Sequence, residues 1–312
     1  MKLKHLIIAM AATVACASAH AGNSILGNYQ LTGSHKLDTL GGTGLEASAV
    51  TYAADRGSLF FVGDEGKGVV EVSLTGTTLG TMTFSAWPST TSHHDAEGLT
   101  YLGNNVLVVG EERLQDAFQF TYVANGSVSL ASAPWASVSN HPYNNVGMEG
   151  ISYDPRDGSF VSVKQATSME VRSGTLSFAA GGGSSTMAPL FDANLLGLVS
   201  LSDVQTLSPV NALAGTAAAD NLLILSLDSQ RLVETNRGGT VLSSFDLSGI
   251  TTQAIEGVTV DQFGRIYLVA EDTGQPNSML SVLTPIPEPE TYAMFLAGLG
   301  LMGIMTRRRK TA

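Results

Sequence analysis

Residues 96–113 read AEGLTYLGNNVLVVGEER. Two hydrophobic runs flank Gly103-Asn104-Asn105; the first opens on Glu97-Gly98 and the second closes on Glu111-Glu112. Strand-forming runs on either side of turn-forming residues read as a β-hairpin. The same frame returns as MEGISYDPRDGSFVSVKQ at 148–165 and IEGVTVDQFGRIYLVAED at 255–272. Weaker copies lie at 45–66, LEASAVTYAADRGSLFFVGDEG, and at 201–207, LSDVQTL, which reaches NLLILSLDSQ at 221–230 through an insertion. With the position of Glu97 as the slot, the five slots are Ser48, Glu97, Glu149, Ser202 and Glu256, spaced by 49, 52, 53 and 54 residues. A period of about 40 to 50 residues is that of a four-stranded propeller blade.

The fold class that follows is all-β, a five-bladed β-propeller of four-stranded antiparallel blades. Third strands are expected at 69–74, 118–123, 169–172, 231–235 and 279–283. Fourth strands are expected at 81–87, 127–131 and 241–247, with a weak one at 176–180. The run 29–37 supplies the outermost strand of the last blade, closing the ring without a long exposed edge. A six-bladed alternative would need four further strands between Gly181 and Asp220. Charged residues at 14 % and 34 glycines suit short strands and tight turns better than helices.

In an antiparallel hairpin the start of the first strand lies beside the end of the second, so each slot residue meets the polar end of its own unit. Rotational symmetry then gathers Glu97, Glu149, Glu256, Glu111, Glu271 and Glu46 around one mouth of the channel. Carboxyls at that density cannot all stay ionised without a counter-ion. Hard oxygen donors without thiols or a histidine pattern favour calcium. The competing reading is structural: a glutamate at a blade's inner edge can simply bond neighbouring backbone amides. Glycine after the glutamate lets chains crowd near the axis.

Residues 1–21 read as a signal peptide for signal peptidase, with Lys2 and Lys4, an apolar run and a small-residue end at Ala19-His20-Ala21. The single cysteine, Cys16, lies inside it, so the mature chain has no disulfide. A lipoprotein signal acylated at Cys16 is the competitor, disfavoured by Thr13 where an aliphatic residue is usual. The rest divides into a propeller at 22–284 and a sorting segment at 285–312. In the latter, Pro287, Glu288 and Pro289 precede 14 residues ending at Met305 and then Arg307, Arg308, Arg309 and Lys310. Fourteen residues fall short of the about 20 that cross a bilayer. This segment resembles the PEP-CTERM sorting signal. The resemblance implies a Gram-negative exported protein, held transiently at the inner membrane, cut by exosortase near Pro287 to Pro289, and sent to the cell surface or extracellular matrix. A simple C-terminal anchor is the alternative. Removing the six bases of both ends together with Glu288 and Glu290 leaves 10 bases against 25 acids. That balance repels polyanions and argues against nucleic acid.

The set Glu-Gly-φ-(Ser/Thr)-(Tyr/Val)-Asp, followed by φ-φ-Val-x-Glu-Glu/Asp, is similar to the SdiA-regulated family, a relative of NHL-repeat propellers. The likeness spans about 28–284 and implies a five-bladed propeller with a calcium site at its axial mouth, without an established reaction. Matching positions are Glu97-Gly98, Glu149-Gly150, Glu256-Gly257, Glu111-Glu112 and Glu271-Asp272. Ser48, Ser202 and Lys164-Gln165 depart from the pattern, and Lys164 is a candidate to neutralise a neighbouring carboxylate. His93-His94 reads as a loop entering blade two. Trp87, Trp135, Tyr143 and Phe118 read as core before they read as a carbohydrate-binding face. No nucleophile elbow, Walker loop or His-Glu-x-x-His helix is present. The expected function is therefore a non-catalytic, calcium-binding surface module for a ligand or extracellular polysaccharide. The alternative is a calcium-dependent phosphoesterase or lactonase with Glu97 or Glu256 as base.

Overall fold

The computed structural model describes residues 25–88, 94–143, 145–272 and 274–286. Within them the chain forms a five-bladed propeller. Each blade takes its three inner strands in chain order: Ala47–Ala53, Ser58–Gly63 and Gly68–Val72 in blade one, Ala96–Gly103, Val106–Glu111 and Asp116–Thr121 in blade two, and Met148–Asp154, Ser159–Lys164 and Glu170–Gly174 in blade three. Blade four uses Asp203–Thr206, Leu222–Ser226 and Arg231–Thr235, and blade five Ile255–Val260, Ile266–Ala270 and Met279–Pro285. The expected closure is present: Tyr29–Lys36 pairs antiparallel with Met279–Pro285, Tyr29 opposite Pro285 and Lys36 opposite Met279.

Outer strands are where expectation and structure part. Thr78–Ala86 and Val241–Asp246 serve blades one and four as expected. The run 127–131, expected as blade two's fourth strand, instead contributes to Gly126–Ser129, which adds in parallel to Thr78–Ala86 of blade one. Trp135–Ser137 takes its place in blade two. In blade three, Leu176–Ser177 pairs with Ser184–Ser185 in a small separate hairpin, and Ala188–Phe191 is the fourth strand. Outer strands are half in water, so their sequences carry a weak apolar signal: Val241–Asp246 alternates between exposed and half-buried residues. The inner strands carry the opposite signal. Leu222–Ser226 and Ile266–Ala270 are buried at every residue, because each blade is sandwiched between two others and a continuous apolar run is required.

Five hydrophobic clusters, one for each interface between adjacent blades, form the core. Phe60, Val62 and Met82 meet Leu99, Leu107 and Phe118 between blades one and two. Val161 and Val163 meet Leu222 and Ile224 between blades three and four, and Tyr267 and Val269 meet Val50 and Phe61 where blade five closes on blade one. Among the described residues the only helices are short 3-10 turns.

Candidate functional site

The slots coincide with a break in the ladder. Pairing between first and second strands slips between Ala47 and Ala49, Ala96 and Gly98, Met148 and Gly150, and Ile255 and Gly257. Ser48, Glu97, Glu149 and Glu256 are thus the extra residues of β-bulges, a device that re-aims a side chain. The adjoining glycines allow the blades to meet. A Cβ on Gly150 would lie 2.4 Å from Asp203 Oδ1, and one on Gly257 2.8 Å from the Ser48 carbonyl.

Glu97, Glu149 and Glu256 come together at the mouth. Burial pushes the Glu97 carboxyl well above the usual carboxylate range, and the charges of Glu149, Glu256, Asp64 and Glu112 push it further. Glu149 is raised in the same way by burial, then by Glu112 and Glu256. Glu256 is pushed up to about 9 by burial and then Glu271, with which it shares a hydrogen bond. Asp64 rises to about 7, through burial and then Asp95. Hydrogen bonds also join Asp64 to Asp95 and Glu112 to Glu149. Two carboxyls can bond in this way only when one carries a proton. Glu46 stands at the rim with left-handed backbone, φ 47°; its N–H donates to Asp272 Oδ1 at 3.2 Å, and its carboxyl is raised by burial, then by Glu65 and Glu271.

Glu111 sits differently. Its carboxylate is fully buried and accepts from the Leu114 N–H at 2.6 Å within its own turn; burial raises it to about 7 against that bond. From the second-strand ends, Asp64 and Glu112 add their charges to those of Glu149 and Glu256 on Glu97. Glu112 also accepts from the Gly147 N–H at 3.1 Å, tying blade two to blade three. Arg113 ion-pairs with Asp95 at the same edge.

The departures from the repeat acquire physical roles. Ser48 Oγ accepts from the Asp64 N–H at 3.0 Å, and Ser202 Oγ from the Leu227 N–H at 3.0 Å, so the slot serines cap their own hairpins. Lys164 does not neutralise a carboxylate of the mouth. Its ammonium donates to the Ala166 and Ser168 carbonyls, each at 2.8 Å, and lies 4.2 Å from the Tyr143 ring centre. His94 stacks on Trp87, with ring centres 5.3 Å apart, whereas His93 lies outside the described residues. Phe118 is 1 % exposed, inside the interface between blades one and two. Glu234, on the third strand of blade four, is buried and accepts from Asn221 Nδ2 at 2.6 Å.

A second ring of contacts lies three and four residues past the slots. The Thr51 hydroxyl accepts from the Tyr101 N–H at 3.1 Å, Thr100 from Tyr153 at 3.0 Å, Ser152 from Thr206 at 3.0 Å and Thr259 from Tyr52 at 3.1 Å. Thr259 closes the ring by donating to Gln205 Oε1 at 2.9 Å. The Ser/Thr of the repeat motif was the signal for this ring. Its meaning stayed hidden because each bond crosses between blades.

Among the described residues, no three His, Cys, Asp or Glu side chains form a ready-made metal cage. The carboxyls pair with one another instead. As a donor set, hard oxygens without thiols, held in pairs that share protons, suit a calcium ion displacing those protons. Glu97, Glu149 and Glu256, with Asp64 and Glu112, are the residues that would hold it.

A family model for SdiA-regulated proteins matches residues 24–280. The chain belongs to the SdiA-regulated family. The PEP-CTERM protein-sorting motif matches residues 285–310 of this SdiA-regulated propeller; Pro287, Glu288, Pro289, Arg307, Arg308 and Arg309, like residues 1–21, where a signal peptide is expected, lie outside the described residues. The motif implies processing by exosortase during export across the envelope to the cell surface. Among solved structures, the chain is similar to a luciferin-regenerating enzyme at 10 % identity, covering 82 % of this chain and 96 % of that one with a TM-score of 0.48. It is also similar to the Myceliophteria thermophila Cps50 (Swd1) β-propeller domain at 12 % identity, covering 77 % and 65 %, with a TM-score of 0.38.

Proposed function

We propose that this exported propeller is a calcium-binding, non-catalytic module of the cell surface or extracellular matrix that holds a ligand or polysaccharide at its acidic mouth. One observation carries the reading: buried Glu97 and Glu149 and half-buried Glu256, from three blades, lie within reach of one another's charge with their carboxyls held well above the usual carboxylate range, and Glu149 and Glu256 each bond a neighbouring carboxyl. A fold that gathers buried carboxyls relieves their repulsion either with protons or with a cation. Outside the cell, where calcium is plentiful, the cation is the stronger counter-charge. Buried Asp203 lies apart from this exchange, its oxygens bonded to backbone N–H groups.

The test is a calcium titration followed by calorimetry and melting. Binding should be saturable and release protons near neutral pH, and the melting temperature should rise. No heat of binding, together with equal melting temperatures in calcium and in chelator, would return the glutamates to a structural role.

A calcium-dependent phosphoesterase or lactonase is the second reading, favoured by Glu256, strongly raised by burial and by Glu271, Asp64 and Glu46, a pattern that active sites share. Turnover of phosphate esters or lactones by the calcium-loaded protein, lost in Glu256→Gln, would establish it over the binding role.

A further inference from the structure

At the end of the inner strands opposite the carboxyls, a cavity of about 350 Å³ opens among the hairpin turns. Residues of all five blades line it. The volume falls at the lower end of the range of about 300 to 1,000 Å³ of small-ligand pockets. Its walls include Tyr52, Tyr101 and Tyr153, which stand at one repeat position, four residues past the slots Ser48, Glu97 and Glu149. Tyr101 is held firmly. Its ring stacks on buried Phe60 with centres 5.8 Å apart and planes at 19°, its hydroxyl donates to Asp55 Oδ2 at 3.1 Å, and that hydroxyl accepts from the Asn105 N–H at 2.8 Å. Tyr153 packs on Phe160 with ring centres 5.1 Å apart.

Beneath these rings lies part of the polar ring, with Thr51, Thr100, Gln205 and Thr259 all lining the cavity. Asn104 and Asp55 stand among the turn residues of the lining. The lining contains no Lys, Arg or His, so an anionic ligand would find no counter-charge. Aromatic walls over a floor of hydroxyl and amide groups match a ligand with apolar faces and hydroxylated edges. A flat hydrocarbon would leave the floor unpaired, at a cost in desolvation.

We propose that this cavity is a second binding site, for a neutral pyranose unit of a polysaccharide. Tyr101 and Tyr153 face the sugar's C–H surface, and Asn104, Asp55 and Gln205 bond its hydroxyls. The site does not depend on the calcium reading, since it occupies the other end of the channel.

The test uses the full chain, with neutral hexose trisaccharides of the gluco, galacto and manno series as probes in calorimetry. At least one series should bind saturably at one site in chelator, where a calcium-dependent mouth would contribute nothing. Tyr153→Ala should weaken it by tenfold or more. Ala54→Trp, a change at an exposed turn residue of the lining, should block it with no change in melting temperature. Asp246→Asn, on the exposed outer strand of blade four and outside both sites, should leave it as it was. Absence of binding by every neutral trisaccharide, undiminished binding by Ala54→Trp, or equal binding of uronic-acid trisaccharides would overturn the proposal. Failure of the calcium reading would appear separately, in the melting experiment above.

Discussion

The Asp203 carboxylate on the inner strand of blade four accepts a hydrogen bond from the Val258 N–H of blade five at 2.7 Å. Its other oxygen accepts from the Val204 N–H, also at 2.7 Å. Burial holds this acid well above the usual range while the two N–H bonds pull it back. Gly150 of blade three packs directly against the same carboxyl. Three blades therefore meet at one side chain, beside the slot Ser202.

Gly150→Ala should be costly because its new methyl would lie 2.7 Å from the Asp203 Cα, part of the backbone, as well as against the carboxylate. Overpacking of that kind costs about 1–3 kcal/mol. Urea unfolding should show the midpoint falling; an unchanged midpoint would mean the blades separate more easily than their packing indicates.

The hydroxyl ring predicts a loss from an apparently mild change. Ser152→Ala would leave the buried Thr206 N–H without the acceptor it now has at 3.0 Å. An unsatisfied buried group costs about 1–3 kcal/mol. Ser159→Ala, at the start of the next strand, should cost less, because its hydroxyl has no partner in the fold. Comparable losses for the two variants would remove the ring's special role.

Without divalent cations, stability should fall as pH rises. Asp64 and Glu256 move from ordinary values of 3.8 and 4.5 to about 7 and about 9 on folding. Between the ordinary and the raised values the folded state binds more protons than the unfolded state, so its stability is full below about pH 4 and drains away through pH 7 to 9. Melting in chelator should therefore drop between pH 5 and pH 9. A flat or rising profile would contradict the buried cluster. Calcium should flatten the decline.

Calcium at a hundred times its dissociation constant should add about 2.7 kcal/mol. Glu97→Gln and Glu256→Gln should each reduce this gain, whereas Asp246→Asn, on the exposed outer strand of blade four, should not. An equal gain in all three variants would place any calcium elsewhere on the surface.

Protein recovered from the surface of its host should lack the Arg-rich end, since the sorting motif spans 285–310. Mass spectrometry decides this. An intact peptide reaching Ala312 in the extracellular fraction would exclude processing.

How far the sequence could be read depended on where each residue sits between its neighbours. Inner strands are squeezed on both faces, so the repeat fixed their order, their count and the closure by Tyr29–Lys36. Outer strands pack on one side only, and the pairing of Gly126–Ser129 with blade one or of Ala188–Phe191 with blade three left no periodic trace. In the same way, the slot glutamates were legible because rotational symmetry carries one sequence position to one mouth. Which second-strand acid joins them was not: Glu111 ends the strand and bonds into its own turn, while Glu112, the first turn residue, reaches Glu149. The sequence by itself determined that this chain repeats five times, closes on itself and concentrates acids at one end. Only the tertiary structure decided the Asp203 latch, the hydroxyl ring and the tyrosine cavity, because those contacts join residues of different blades, about fifty positions or more apart, that meet only when the blades dock.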